Sequence, residues 1–228
     1  MKKKKIQPAI IRSQLLVALS LIITGTFLFF LVYRLSLSYS ALWWNLVDSL
    51  MTSFSVSIRT VGLTSMMKFL SWWGYYGTIL IWIGLFILSL KRKDLLTSIM
   101  IVLLSLGGYG LGFGIKNMVQ RERPSEFALI SETRQSFPSL HALTSMILYI
   151  TIVYYVYHYY YKFWPAVILL SLSLVLIFMI SFSRIYLGVH YFSDCIAGIL
   201  LGIGYFYIIA GMLKLVWVKN LYSLMKSN

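Results

Sequence analysis

The chain has 228 residues, of which 60% are apolar and only 11% charged, with a formal net charge of +14. A soluble domain carries about a quarter charged residues because its surface must face water, so this composition excludes that class and matches an integral membrane protein. A single cysteine, Cys195, excludes both an intramolecular disulfide and a cysteine-rich metal cluster.

The chain begins with Lys2-Lys3-Lys4-Lys5, followed by an apolar run from about Leu15 to Tyr33. That run is longer than the apolar region of a secretory signal and lacks a small-x-small cleavage site, so it predicts a retained helix over 14–33. Segment 34–69 contains Trp43, Trp44, Leu46, Val47 and Leu50, which suggests a short helix on the outer surface with no evident chemistry. Further runs near the roughly 20 residues needed to cross a bilayer predict helices over 70–90, 95–114, 141–161, 165–182 and 191–213. The expected fold is all-α and polytopic, a single domain over 1–228 with six transmembrane helices and helices three to six forming a four-helix catalytic bundle.

Basic residues set the orientation. The lysine-rich start, Lys91-Arg92-Lys93 after the second helix, Lys162 after the fourth, and Lys214 and Lys219 after the sixth all fall on one side if each helix reverses direction. The positive-inside rule makes that side cytoplasmic, with both termini there. Bases spread between apolar runs do not form a nucleic-acid-binding face; contact with anionic membrane lipids accounts for them. Trp72-Trp73 are expected at the outer interface, and Tyr159-Tyr160-Tyr161 with Trp164 at the inner one. Gly108/Gly112, Gly110/Gly114 and Gly198/Gly202 have the small-xxx-small spacing of close helix packing.

The same parity places segments 34–69, 115–140 and 183–190 outside. Lys116, Arg123 and Arg184 come from two of these segments and suit a phosphate dianion if they converge. Pro138-Ser139 starts a helix, where the N–H groups of Leu140 and His141 and the Ser139 hydroxyl form a second anion feature. His190 and Asp194 are four apart and share a helix face. The carboxylate accepts one imidazole N–H and leaves the other nitrogen free as a nucleophile, while His141 is placed to protonate a leaving group. Taken singly, Lys116 and Arg121 read as snorkelling side chains, Ser139 as a cap and His158 as an interfacial filler. Glu122, Glu126, Glu132 and Arg134 read as solvated loop charges. Two of three histidines and most external cations nevertheless fall in three short segments on one side, which argues for a site.

These segments resemble the three motifs of the type 2 phosphatidic acid phosphatase family, KxxxxxxRP, PSGH and SRxxxxxHxxxD. They stand here as Lys116 to Arg123-Pro124, Pro138-Ser139-Leu140-His141, and Ser183-Arg184 to His190 to Asp194. Leu140 replaces the usual glycine; its N–H survives, so the change bears on the substrate rather than the reaction. The resemblance implies a bacterial plasma-membrane lipid phosphatase that needs no metal or other cofactor. Lys116, Arg123, Ser139, Leu140 and Arg184 would hold phosphate, His190 would attack, His141 would act as acid and then base, and Asp194 would orient His190. Expected substrates are undecaprenyl pyrophosphate, phosphatidylglycerophosphate or phosphatidic acid. A phosphotransferase of the same fold is the alternative; a transporter fits poorly because the charges gather at one face rather than at the midplane.

Overall fold

The computed structural model describes residues 8–124, 126–160 and 163–226, so Lys2–Lys5, Tyr161 and Lys162 lie outside the described residues. The described residues form seven helices: α1 (Pro8–Ser38), α2 (Leu42–Ser57), α3 (Val61–Lys91), α4 (Leu95–Val119), α5 (Leu140–Tyr160), α6 (Phe163–Tyr186) and α7 (Phe192–Lys226). All except α2 are long and apolar enough to cross a membrane. The six predicted spans are therefore present.

Their ends differ where local chemistry outweighs hydropathy. α3 begins at Val61 rather than near 70 because Thr60 caps it, accepting a hydrogen bond from Leu63 N at 3.2 Å. Its first turns are mixed in polarity and carry little hydropathic signal. As a result Trp72 and Trp73 lie roughly 16 Å along α3 rather than at its tip. Trp72 is exposed, whereas Trp73 turns inward and its indole N–H donates to the Tyr149 hydroxyl at 3.3 Å. α4 starts at its predicted residue, where Asp94 accepts from Thr97 N at 3.0 Å.

Small residues set the packing, as they must where lipid supplies no hydrophobic force between helices. α1 lies along α7 so closely that a Cβ on Gly25 would stand 2.6 Å from the Gly204 carbonyl oxygen. α5 is central, packed on α7, α6 and α4. A Cβ on Gly198 would meet the Ser139 carbonyl oxygen at 2.6 Å, so that glycine lets α7 touch the start of α5. Gly108, Gly112 and Gly202 likewise face α5 side chains. Gly110 and Gly114 do not: their α-carbons face open space, so that spacing marks no helix contact among the described residues. Leu104, Leu143, Ile147 and Leu201 form the main core between these helices.

Both α3 and α4 contain a π-helical turn, at Trp73–Gly77 and Leu103–Gly107. Such turns re-aim side chains and recur at functional sites. Here Tyr75 approaches the His141 ring, with centroids 6.0 Å apart. α2 is the expected short helix of the 34–69 segment, but it packs on α6 and α7 and buries Asp48 and Ser55.

Candidate active site

Two helix ends place the reactive groups of the last motif. α6 stops through a pair of closing hydrogen bonds, Gly188 N to the Ile185 carbonyl at 2.9 Å and Val189 N to the Arg184 carbonyl at 3.2 Å. This closure needs a left-handed residue at Gly188, whose φ is +71°, and a Cβ there would strike the Phe127 carbonyl. Arg184 is thereby held in the last turn while the chain folds back to present His190. α7 then begins at Phe192, and Asp194 in its first turn reaches back to accept the Tyr191 N–H at 3.0 Å. The same Oδ2 lies 3.4 Å from His190 Nδ1. The predicted His190–Asp194 pair is present, though for a different reason than expected. His190 precedes the helix, and the capping carboxylate, not a shared helix face, brings the two together.

With Nδ1 on Asp194, Nε2 of His190 points to the cavity side and lies 3.3 Å from Arg123 Nη1. His190 is buried, and burial together with the neighbouring Arg123, Arg184 and Lys116 charges holds its pKa well below the ordinary value of 6.5. The ring is therefore neutral near pH 7, with an unprotonated nitrogen available.

The cavity measures about 540 Å³, and its walls include Lys116, Arg123, Arg184, Leu140, His141 and His190. The three predicted cations do converge, from α4, the following loop and α6. Each is anchored by backbone or side-chain partners. Lys116 Nζ donates to the Gln135 and Ser136 carbonyls, Arg123 to the Arg134 and Val189 carbonyls, and Arg184 to the Ser71 hydroxyl. Burial, opposed by Glu132 and reinforced by Arg184, pulls the Arg123 pKa down from its usual value, yet a guanidinium keeps its charge at neutral pH. Arg184 Nε is buried without a hydrogen-bond partner among the described residues.

Ser139 is fully buried and off the cavity wall; its N–H donates to the Asp194 carbonyl at 3.0 Å, tying α5 to α7, and its hydroxyl has no hydrogen-bond partner among the described residues. Three expectations need correction. Glu132 is not merely a solvated charge, because it ion-pairs with Arg184 and lies 3.9 Å from Arg123. Arg121 is not a snorkelling side chain. It is buried, and donates to Asp194 Oδ1 at 2.7 Å and Asp48 Oδ2 at 2.9 Å. Asp48, in a segment expected to lack chemistry, is a buried member of the same network. An aspartate in an otherwise apolar and hydroxyl-rich helix was the available signal for it. Among the described residues no group of three or more His, Cys, Asp or Glu side chains is placed to hold a metal ion.

An apolar trough of about 450 Å³ between α3 and α4 adjoins the cavity and shares Tyr75, Tyr109 and Thr144 with it. Lined by Ile79, Trp82, Ile83, Phe86 and Leu106, it offers hydrocarbon contact beside a cationic pocket.

The chain matches known proteins in sequence and in fold. Residues 94–217 match the PAP2 superfamily model. The chain is 31% identical over 98 residues to phosphatidylglycerophosphatase B of Bacillus subtilis (strain 168), a match covering 42% of this chain and about half (48%) of that relative. Its fold is similar to the crystal structure of a transmembrane PAP2-type phosphatidylglycerolphosphate phosphatase from B. subtilis, with a TM-score of 0.73 at 22% identity over 83% of this chain and 95% of that one. It is also similar to Aquifex aeolicus LpxE, with a TM-score of 0.56 at 19% identity over 74% and 94% of the two chains. With more than half its length matched, all-helical and carrying six apolar spans, the chain belongs to the PAP2 superfamily.

Proposed function

We propose that the protein hydrolyses a phosphate ester or diphosphate of a membrane lipid, without metal, through a phosphohistidine on His190. The observation that carries this reading is the imidazole held by Asp194 through Nδ1, with Nε2 directed to a cavity walled by three cations. The PAP2 relationship supports the phosphatase class, and the apolar trough supports a lipid rather than a soluble ester.

In the first step Nε2 attacks phosphorus in line, the P–N bond forms, the P–O bond to the lipid breaks, and His141 gives its proton to the departing oxygen. In the second, water attacks the phosphohistidine, His141 takes the water proton, and the P–N bond breaks to release inorganic phosphate. Lys116, Arg123 and Arg184 stabilise the charge that develops on the phosphoryl oxygens, as do the N–H groups of Leu140 and His141 in the first turn of α5. Undecaprenyl pyrophosphate, phosphatidylglycerophosphate and phosphatidic acid are the substrates to compare. The basic-residue pattern supports a site on the extracytoplasmic side of a bacterial plasma membrane.

The test is phosphate release by purified protein in detergent across a panel of lipid phosphates and diphosphates, with EDTA present and no acceptor added. Release supports hydrolysis. Release only on addition of an acceptor indicates a phosphotransferase, and activity restored only by Mg²⁺ overturns the metal-free mechanism. Orientation is read separately in a Cys195→Ser background: cysteine at Glu126, but not at Arg92, should react with an impermeant thiol reagent on intact cells.

A further inference from the structure

The ion-pair system behind His190 extends out of the family-matched residues 94–217 to Asp48 on α2. Arg121 bridges two buried carboxylates, Asp194 at 2.7 Å and Asp48 at 2.9 Å. Ser193 ties the same groups again: its hydroxyl accepts from Arg121 at 2.7 Å and donates to Asp48 Oδ2 at 2.6 Å, while its N–H donates to Asp48 Oδ1 at 2.8 Å. Tyr39 and Tyr191 flank the guanidinium, with ring centroids 4.6 and 4.1 Å from Cζ. Asp48, Arg121, Ser193 and Asp194 are all less than 7% exposed.

Charge explains why a second carboxylate is needed. An Arg121–Asp194 pair alone sums to zero and offers little attraction to positive charge forming on His190. With Asp48 the three groups sum to one negative charge, held in a medium that screens it weakly. His190 needs that charge, because the groups facing it are otherwise cationic or neutral: Lys116 from α4, Arg123 from the loop, His141 from α5 and Arg184 from α6. Glu132, the loop's anion near them, is engaged by Arg184. Asp48 touches none of the three phosphate-facing cations in the hydrogen bonds it makes.

We propose, resting on the phosphohistidine reading, that Asp48 is a positioning residue. By sharing Arg121, it keeps Asp194 both oriented and negative enough to stabilise the cationic ring of phosphorylated His190. α2 is then a part of the catalytic apparatus rather than only a surface helix.

Asp48→Asn, Asp48→Glu and Ser193→Ala test this in the purified full chain, with kcat, KM and the pH profile read from phosphate release. Asp48→Asn should lower kcat by up to about 100-fold and leave KM within about twofold, since the phosphate cations are untouched. It should move the acid limb of kcat/KM to lower pH, because removing negative charge disfavours protonation of His190. Asp48→Glu should regain much of the lost kcat. A wild-type kcat in folded Asp48→Asn protein overturns the proposal. So does a fall in kcat that tracks the folded fraction with the acid limb unmoved, which would mark Asp48 as a fold anchor only. Should Asp48→Asn fail to fold, Ser193→Ala keeps both charges and cuts their hydroxyl link. It should lower kcat several-fold at constant KM, and unchanged kcat there also overturns the proposal. Absence of phosphate release by wild-type protein sinks the phosphatase reading itself, and the same assay shows it.

Discussion

The two ends of the helical bundle carry the same kinds of residue and use them differently. At one end His190, Asp194 and Arg121 are buried, and the cations Lys116, Arg123 and Arg184 converge on a cavity. At the other, His158, Asp94 and Arg92 lie where α3 turns into α4 beside the end of α5. There Asp94 caps α4 and accepts the Tyr159 hydroxyl at 2.5 Å, Arg92 stacks 4.4 Å from the Tyr159 ring centroid, and exposed His158 stacks on Tyr154. Asp94, Tyr159 and Arg92 at that end tie the turn between α3 and α4 to the end of α5. At the motif end a ring nitrogen of His190 faces the cavity and Arg184 Nε has no partner among the described residues. Residue type alone does not separate the two ends; what differs is that the charged groups of the motif end are buried together around one cavity.

Five substitutions sharpen that contrast. The largest effect is expected from His190 at the motif end, with His158 at the far end as its control. His190→Ala should abolish phosphoenzyme and lower turnover by at least about 10⁴-fold, while His158→Ala stays near wild type; acid-labile phosphate after rapid quench reads both. A phosphoenzyme in His190→Ala would remove the nucleophile from this assignment. Next, His141→Ala should lower turnover of a lipid phosphate by about 10²–10⁴-fold. With p-nitrophenyl phosphate, whose leaving group needs little protonation, the variant should still phosphorylate His190, and the adduct should persist for want of a base. Equal losses in phosphorylation rate with both substrates would exclude His141 as the acid.

Smaller changes are expected where an ion pair only competes or caps. Glu132 ion-pairs with Arg184 and competes with a phosphate for it, so Glu132→Gln should lower KM by up to about fivefold, the equivalent of an ion pair worth about 1 kcal/mol. A raised KM would mean that Glu132 instead pre-orders the cations. At the far end, Asp94→Ala should cost about 1 kcal/mol of stability through the lost cap and leave kcat unchanged. Burial pushes the Asp94 pKa up, but hydrogen bonds from Thr97 and Tyr159, with His158 nearby, bring it below 3.8. A depressed carboxyl stabilises the fold fully above its unfolded pKa and less as pH falls through the folded one. The stability gap between wild type and Asp94→Ala should therefore narrow in thermal melts below about pH 4.

Much of this was legible in the sequence, and the reason is the solvent. Hydrocarbon demands long apolar helices, so six spans could be read from hydropathy, and Lys116, Arg123, Arg184, His141 and His190 stood out as candidates by type and spacing. The helix start at Val61 was less visible because it depends on a cap, a single hydrogen bond without a hydropathic signature. The placements of Ser139, Glu132, Arg121 and Asp48 were set only by tertiary structure. Asp48 and Asp194 are 146 positions apart in the chain, and nothing in the local pattern of either announces that one arginine joins them. Burial is a property of the packed bundle: it turns Arg121 from a plausible snorkelling side chain into a buried bridge, and Asp48 from a surface polar residue into a charge that must be paired.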